Sequence, residues 1–364
     1  MGEYLNMVNN NNADIASGRP ANENDAREFL QLFTVGLAAL NRDCTPQLDA
    51  AGNTIPAYIE EDVRHYARIF TGWTSAPKPS ATVRDGAAVK SGHNAPYYKD
   101  VMTAVESNHD QVAKTLLGPT EVPPGQSAFD DVESAVASVY WHPNIAPLLC
   151  RQLVTSNPSP QYVERAVTAF EDNGEGVRGD MKAILCAILT DEEAKNPPAG
   201  SGGHLKEPVL VVSALACAIG AKIADHPFLT DESESMGQKI FFPSSAFSYF
   251  SPSYRIPGLG LAGLELQILT SKTALRRVNY AARLIYGHFG GDVSLDLKRF
   301  VDQAAAGGTG ALVELVNQEL LGGTVPAGMM TSIRRAVELQ SNPEAQAKAA
   351  LYLTASSPSF QVIQ

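Results

Sequence analysis

Along most of this chain, apolar residues recur at the i, i+3, i+4, i+7 spacing that keeps one face of a helix on a core. Over 24–41, Ala26, Phe29, Leu30, Phe33 and Leu37 hold that period. Val63, Tyr66, Ala67 and Phe70 hold it over 60–71, and Thr71-Gly72 then supplies a stop, because glycine accepts the left-handed conformation that ends a helix. The pattern predicts further helices at 108–117, 129–141, 145–155, 159–173, 178–190 and 205–222, then at 262–287, 293–305, 309–321, 327–341 and 343–355. Strand-like alternation is scarce. One small hairpin is expected in 42–58, around the turn chemistry of Asp49-Ala-Ala-Gly-Asn. The predicted class is all-α, a multi-helix single large domain with long ordered loops.

Segments 74–106 and 223–261 are the long loops, rich in Pro, Gly, Ser and aromatics. Loops of that length in a compact domain tend to carry function. The connector AKNPPAGSGGH at 194–204 places a boundary near residue 200. An N-terminal helical half over 1–200 and a C-terminal half over 201–364, with an aromatic loop at 240–258, are expected to share one core.

Composition narrows the function. With 44% hydrophobic and 18% charged residues the chain is globular in make-up. Its formal net charge of −11 repels polyphosphates, and no basic run offsets it, so nucleic acid is not an expected partner. No apolar run reaches the ~20 residues of a membrane span. The N-terminal MGEYLNMVNNNNADIASG lacks the basic segment and apolar core of a signal peptide. Cys44, Cys150, Cys186 and Cys217 form no Cys-x-x-Cys pair. Cys186 and Cys217 lie in apolar helical runs and are expected to be buried small hydrophobes.

The stretch NENDAREFLQLFTVGL at 22–37 runs an acid, base and amide cluster into an apolar helix. One reading is structural: Asn22 or Asn24 caps the helix, Glu23 and Arg27 pair at i, i+4, and Glu28 bridges to Arg64 or Arg68 of the next helix. The other is chemical, with Glu23, Glu28 and Asp62 as acid/base groups. Glycoside hydrolysis needs two carboxyls, ~5–5.5 Å apart for retention and ~6.5–9.5 Å for inversion, and the spacing permits such a pair. Arg27, Arg64, Arg68 and Trp73, with Phe247, Tyr249 and Tyr254 of the aromatic loop, are then the substrate-binding candidates, since such rings stack on sugar faces. His109 and Asp110 are the candidate ligands of a divalent cation, although neighbours on a helix diverge by ~100° and clamp an ion poorly. No other cofactor has a signature. Gly258, Gly260 and Gly263 match G-x-G-x-x-G but follow a proline loop, not a strand.

Several stretches together resemble the bacterial family catalogued as domain of unknown function 1800: MGEYLNMVNN, NENDAREFLQLFTVGL, EEDVRHYARIFTGWT, HDQVAKTLLG, FFPSSAFSYFSPSYRIPG and LYLTASSPSFQVIQ, in family order over nearly the whole chain. Members usually carry a further helical region ahead of MGEYL, and often an export signal, so this chain is expected to be an N-terminally shortened member. The resemblance implies an extracytoplasmic setting, periplasmic or secreted, and a protein partner of the sulfatase-like class often encoded beside such proteins. Two functions follow as expectations. One is a hydrolase acting on a glycan or other small-molecule substrate of the envelope; the other is a non-catalytic envelope protein that binds a partner.

Overall fold

A computed structural model of the chain describes residues 2, 5–13, 18–79, 93–118, 120–140, 142, 144–196, 203–224, 228–245, 247–252, 254–287, 289 and 293–363. The class is all-α: helices dominate, and the strands among the described residues pair only in twos. The chain divides into two compact units, 1–154 with 158–198, and 155–157 with 199–364.

In the first unit, α1 (Asn24–Glu28) runs directly into a π-helical turn at Phe29–Phe33. The apolar period continues past Phe33, but the helix does not. Thr34 leaves helical geometry and Gly36 takes φ +77°, where an added Cβ would lie 2.8 Å from Asn144 Nδ2. That amide donates to Thr34 O at 3.0 Å, so a tertiary contact ends the helix the spacing extends to 41. Bridges Leu40↔Pro46, Leu48↔Thr54 and Ala38↔Pro56 form the hairpin-like excursion expected in 42–58. Asp49 Oδ1 turns it by accepting from the Ala51 and Asn53 N–H groups.

Then come α2 (Glu60–Ile69), β1 (Trp73–Thr74) against β2 (Thr103–Ala104), and β3 (Lys114–Leu116) against β4 (Thr120–Val122). The helix expected at 108–117 is therefore absent. Lys114 and Leu116 are buried and Thr115 exposed, which is the period of a strand and not of a helix. Helices α3 (Ala128–Val139), α4 (Ile145–Leu153), α5 (Pro160–Glu171), α6 (Met181–Thr190) and α7 (Glu192–Lys195) complete the unit. One core cluster gathers Leu30, Val63, Tyr66, Ile69, Val122 and Ala135; another gathers Cys150, Tyr162, Phe170, Ile184 and Ile188.

The second unit holds β5 (His204–Leu205), α8 (Pro208–Ala218), β6 (Lys222–Ile223), α9 (Phe228–Ser235), α10 (Ser271–Ile285), β7 (Val293–Ser294), α11 (Lys298–Leu321), α12 (Ala327–Glu338), α13 (Pro343–Ala355), α14 (Pro358–Gln361) and β8 (Val362–Ile363). Its core runs through Val212, Leu215, Phe228, Tyr280, Phe300, Leu312, Val316, Leu351 and Phe360. The helices expected at 293–305 and 309–321 are joined in α11 and separated by a break at Gly308, whose φ of +72° no helix allows. The helix expected from 262 begins only at Ser271, where Thr270 Oγ1 accepts from Thr273 N–H, and α9 was not anticipated. Cys186 and Cys217 prove exposed, each on the outer side of its helix, while Cys150 is buried.

Candidate functional site

The asparagine run at 9–12 ties three separate stretches of the first unit together. Asn9 N–H donates to Trp73 O at 2.7 Å and Gly72 N–H to Asn10 O at 2.7 Å. The Asn10 side chain clasps the Asn22 backbone, with Nδ2 donating to Asn22 O (3.1 Å) and Oδ1 accepting from Asn22 N–H (2.8 Å). Asn24 Nδ2 donates to Leu5 O at 3.0 Å. Segments 5–12, 22–28 and 70–75 thereby converge. Between the first two lies a cleft of about 640 Å³, walled by the amides of Asn6, Asn9, Asn10, Asn11 and Asn22 together with Arg19 and Glu23. The run of asparagines was visible in the sequence, but no spacing rule marks amides as a cleft wall.

Of the candidate acids, Glu23 lies on that wall. Its Oε2 accepts from Arg27 Nη2 at 2.7 Å, and the same nitrogen donates to Glu60 Oε1 at 2.6 Å. Glu28 lies beneath α1, 9% exposed, with Oε2 buried and without a hydrogen-bond partner. Burial raises its pKa above the ordinary carboxylate value. The expected bridge from Glu28 to Arg64 or Arg68 does not form. Arg64 pairs with Glu61 at 3.1 Å, and Arg68 grips Asp110 with two bonds of 3.0 Å. Asp62 serves the start of α2, where its Oδ2 accepts from Ile59 N–H at 2.7 Å. The acid that spacing did not single out is Asp25: burial first, then the like charge of Glu28, pushes its pKa up to about 6.

These raised values fix the sign of a pH effect. A carboxyl whose pKa is higher folded than unfolded binds more protons in the native state, so stability falls as pH rises between the two values. For Asp25 the window runs from 3.8 to about 6. Asp25→Asn is therefore expected to stabilise the fold at pH 7 by about 1–2 kcal/mol, after discounting for solvent screening at a half-buried site. The gain should fade toward pH 4. Thermal melts at both pH values check it, and a loss of stability at pH 7 would contradict the burial cost.

His109 and Asp110 do not aim at one point. His109 Nε2 meets Asp131 Oδ2 at 3.0 Å and its Nδ1 meets Thr71 O at 3.0 Å. Asp110 turns the other way, onto Arg68. Burial opposes ionisation of Asp110, but the Arg68 guanidinium and Val112 N–H outweigh it and hold its pKa below the usual value. Lys114 is buried and donates to Asp110 O at 2.6 Å while its Nζ lies 2.7 Å from Asp131 Oδ2. Among the described residues no group of three His, Cys, Asp or Glu is placed to hold a metal ion. His93 Nε2 meets Asn11 Oδ1 at 3.0 Å.

Trp73 is 7% exposed, its ring edge-on to Phe129 with centroids 4.7 Å apart, so it packs inside the first unit. Phe247, Tyr249 and Tyr254 belong to the second unit and are half-buried. Tyr249 OH donates to Lys239 O, and Tyr254 O accepts from Gly263 N–H, contacts that anchor the loop.

A helical protein built around converging NENDARE and FTGWT motifs is what the structure defines. The chain belongs to the family described as protein of unknown function (DUF1800), which it matches over residues 1–362. No curated protein and no solved structure matches it. Among the described residues, no helix is long and apolar enough to cross a membrane.

Proposed function

We propose that the chain is a hydrolase of a glycan or similarly polyhydroxylated substrate outside the cytoplasm, working through carboxylate acid/base chemistry. The observation that carries this reading is the amide-lined cleft with Glu23 on its wall. Amide side chains are suited to the hydroxyls and ring oxygens of sugars, and a volume of this order holds one or two sugar rings. Glu23, oriented by Arg27, supplies the base or nucleophile. Asp25, two residues on in α1 though not among the cleft-lining residues, is the acid this reading assigns, because a carboxyl with pKa about 6 keeps a useful protonated fraction near neutrality. The extracytoplasmic setting and a sulfatase-like partner rest on the family resemblance.

A hydrolysis screen over glycans and esters, run on wild type, Glu23→Gln and Asp25→Asn, tests the reading. Each substitution is expected to lower kcat by about tenfold or more. The wild-type rate should fall as pH rises through about 6, where Asp25 loses its proton. A wild type inert on every substrate, or two variants with full activity, overturns the proposal. A second reading, a binding protein without turnover, is favoured by one observation: Arg27 already occupies the Glu23 carboxylate. It predicts glycan binding with no hydrolysis.

A further inference from the structure

Part of the same cleft wall is rich in hydrogen-bond donors. Asn9 Oδ1 accepts from Thr74 Oγ1 at 2.7 Å, and Thr74 Oγ1 in turn accepts from Asn94 N–H at 2.9 Å. Asn22 Oδ1 accepts from Asn24 N–H at 2.9 Å, and Asn11 Oδ1 meets His93 Nε2 at 3.0 Å. The amide oxygens of Asn9, Asn11 and Asn22 are thus engaged by the protein. The Nδ2 groups of Asn9, Asn11 and Asn22 have no partner among the described residues, so the wall presents N–H donors. Arg19 adds a guanidinium with five more. Its neighbours in the unit are spoken for: Arg27, Arg42, Arg64, Arg68 and Arg165 each hold a carboxylate. Arg19 holds none among the described residues, in a chain of net charge −11.

We infer that the cleft selects an anionic glycan, one whose carboxylate or sulfate group is gripped by Arg19 while the free amide N–H groups bind neighbouring oxygens. Free amide donors beside an unpaired guanidinium, on a wall where the Glu23 carboxylate is already held by Arg27, complement a ligand that brings acceptors and a negative charge. This inference rests on the reading of the cleft as a glycan site. Because Arg19 is exposed, replacing it leaves the fold intact.

Calorimetric titration separates the two ideas, since it needs no turnover. The probes are a galacturonic acid hexamer, a sulfated hexasaccharide of equal length, and neutral maltohexaose. Wild type is expected to bind one or both anionic probes about tenfold or more tighter than the neutral one, with affinity falling as salt rises. Arg19→Gln should erase that preference, and Arg19→Lys should keep part of it. Which anionic probe binds tells carboxylate from sulfate. Equal binding of all three probes, or a preference that survives Arg19→Gln, overturns the anionic selectivity while leaving a glycan site in place. No binding of any probe overturns both.

Discussion

Replacing Asp131 with alanine is expected to destabilise the first unit by about 3–5 kcal/mol, the cost of leaving buried charge uncompensated. Asp131 is fully buried, and its Oδ2 alone faces both Lys114 Nζ (2.7 Å) and His109 Nε2 (3.0 Å). Lys114 is 1% exposed and has no route to solvent in the native packing. Without Asp131, Lys114 Nζ keeps only Asp110 O at 2.6 Å and, at 3.9 Å, the Asp110 carboxylate that Arg68 already holds, so its buried charge is poorly compensated. His109 would lose its Nε2 partner while packed against Gly72, where an added Cβ would already lie 3.0 Å from the His109 backbone nitrogen. A unit of this size loses about 2–4 °C of Tm per kcal/mol, so a drop on the order of 10 °C is expected by circular dichroism. The double variant Asp131→Ala with Lys114→Met should recover much of the loss, because it removes the orphaned charge. A single variant that melts with wild type would show that the network carries little stability.

Gly203→Ala is expected to cost the second unit about 2–4 kcal/mol and to loosen its C-terminal strand. Gly203 has φ +85°, and an added Cβ would sit 2.1 Å from Ile363 O, a backbone atom that cannot swing aside. The clash falls where β5 pairs with β8, His204 opposite Ile363 and Leu205 opposite Val362. The strand is also held by Lys206 N–H to Gln361 O (2.7 Å) and by Arg277 Nη1 to Lys206 O (2.8 Å), beside the buried ring of Phe360. Gly220 is the control: its φ is +67°, but nothing lies within 4 Å of an added Cβ, so Gly220→Ala should cost only about 1 kcal/mol. Melting temperature and limited proteolysis near residue 360 read both variants. Equal losses at the two glycines would mean that the β5–β8 contact does not matter.

Helices such as α2, α3 and α5 were legible in the sequence because each buries one face, and a buried face leaves a 3.6-residue period. The error at 108–117 has the same origin. Pattern reading places a lysine outward, yet Lys114 is among the most buried side chains, held there by Asp131 from α3. A buried lysine breaks the equation of charge with surface that pattern reading depends on. Glu28 failed in the opposite sense. The start of its helix and the arginines of the next one were correctly placed, but Arg68 had a better partner in Asp110, forty-two residues on. The cleft was harder still, for its wall is made of short amides on irregular backbone, where no period exists.

The helical class, the family and the hairpin at 42–58 follow from the order of residues, because local periodicity, turn chemistry and motif order are properties of neighbouring positions. Which carboxylate meets which cation, which amide atoms stay free, and why the pKa of Asp25 rises to about 6 were decided by folding. Those outcomes depend on burial and on partners distant in the chain. Desolvation and long-range pairing act only once the segments 5–12, 22–28 and 70–75 have been brought together.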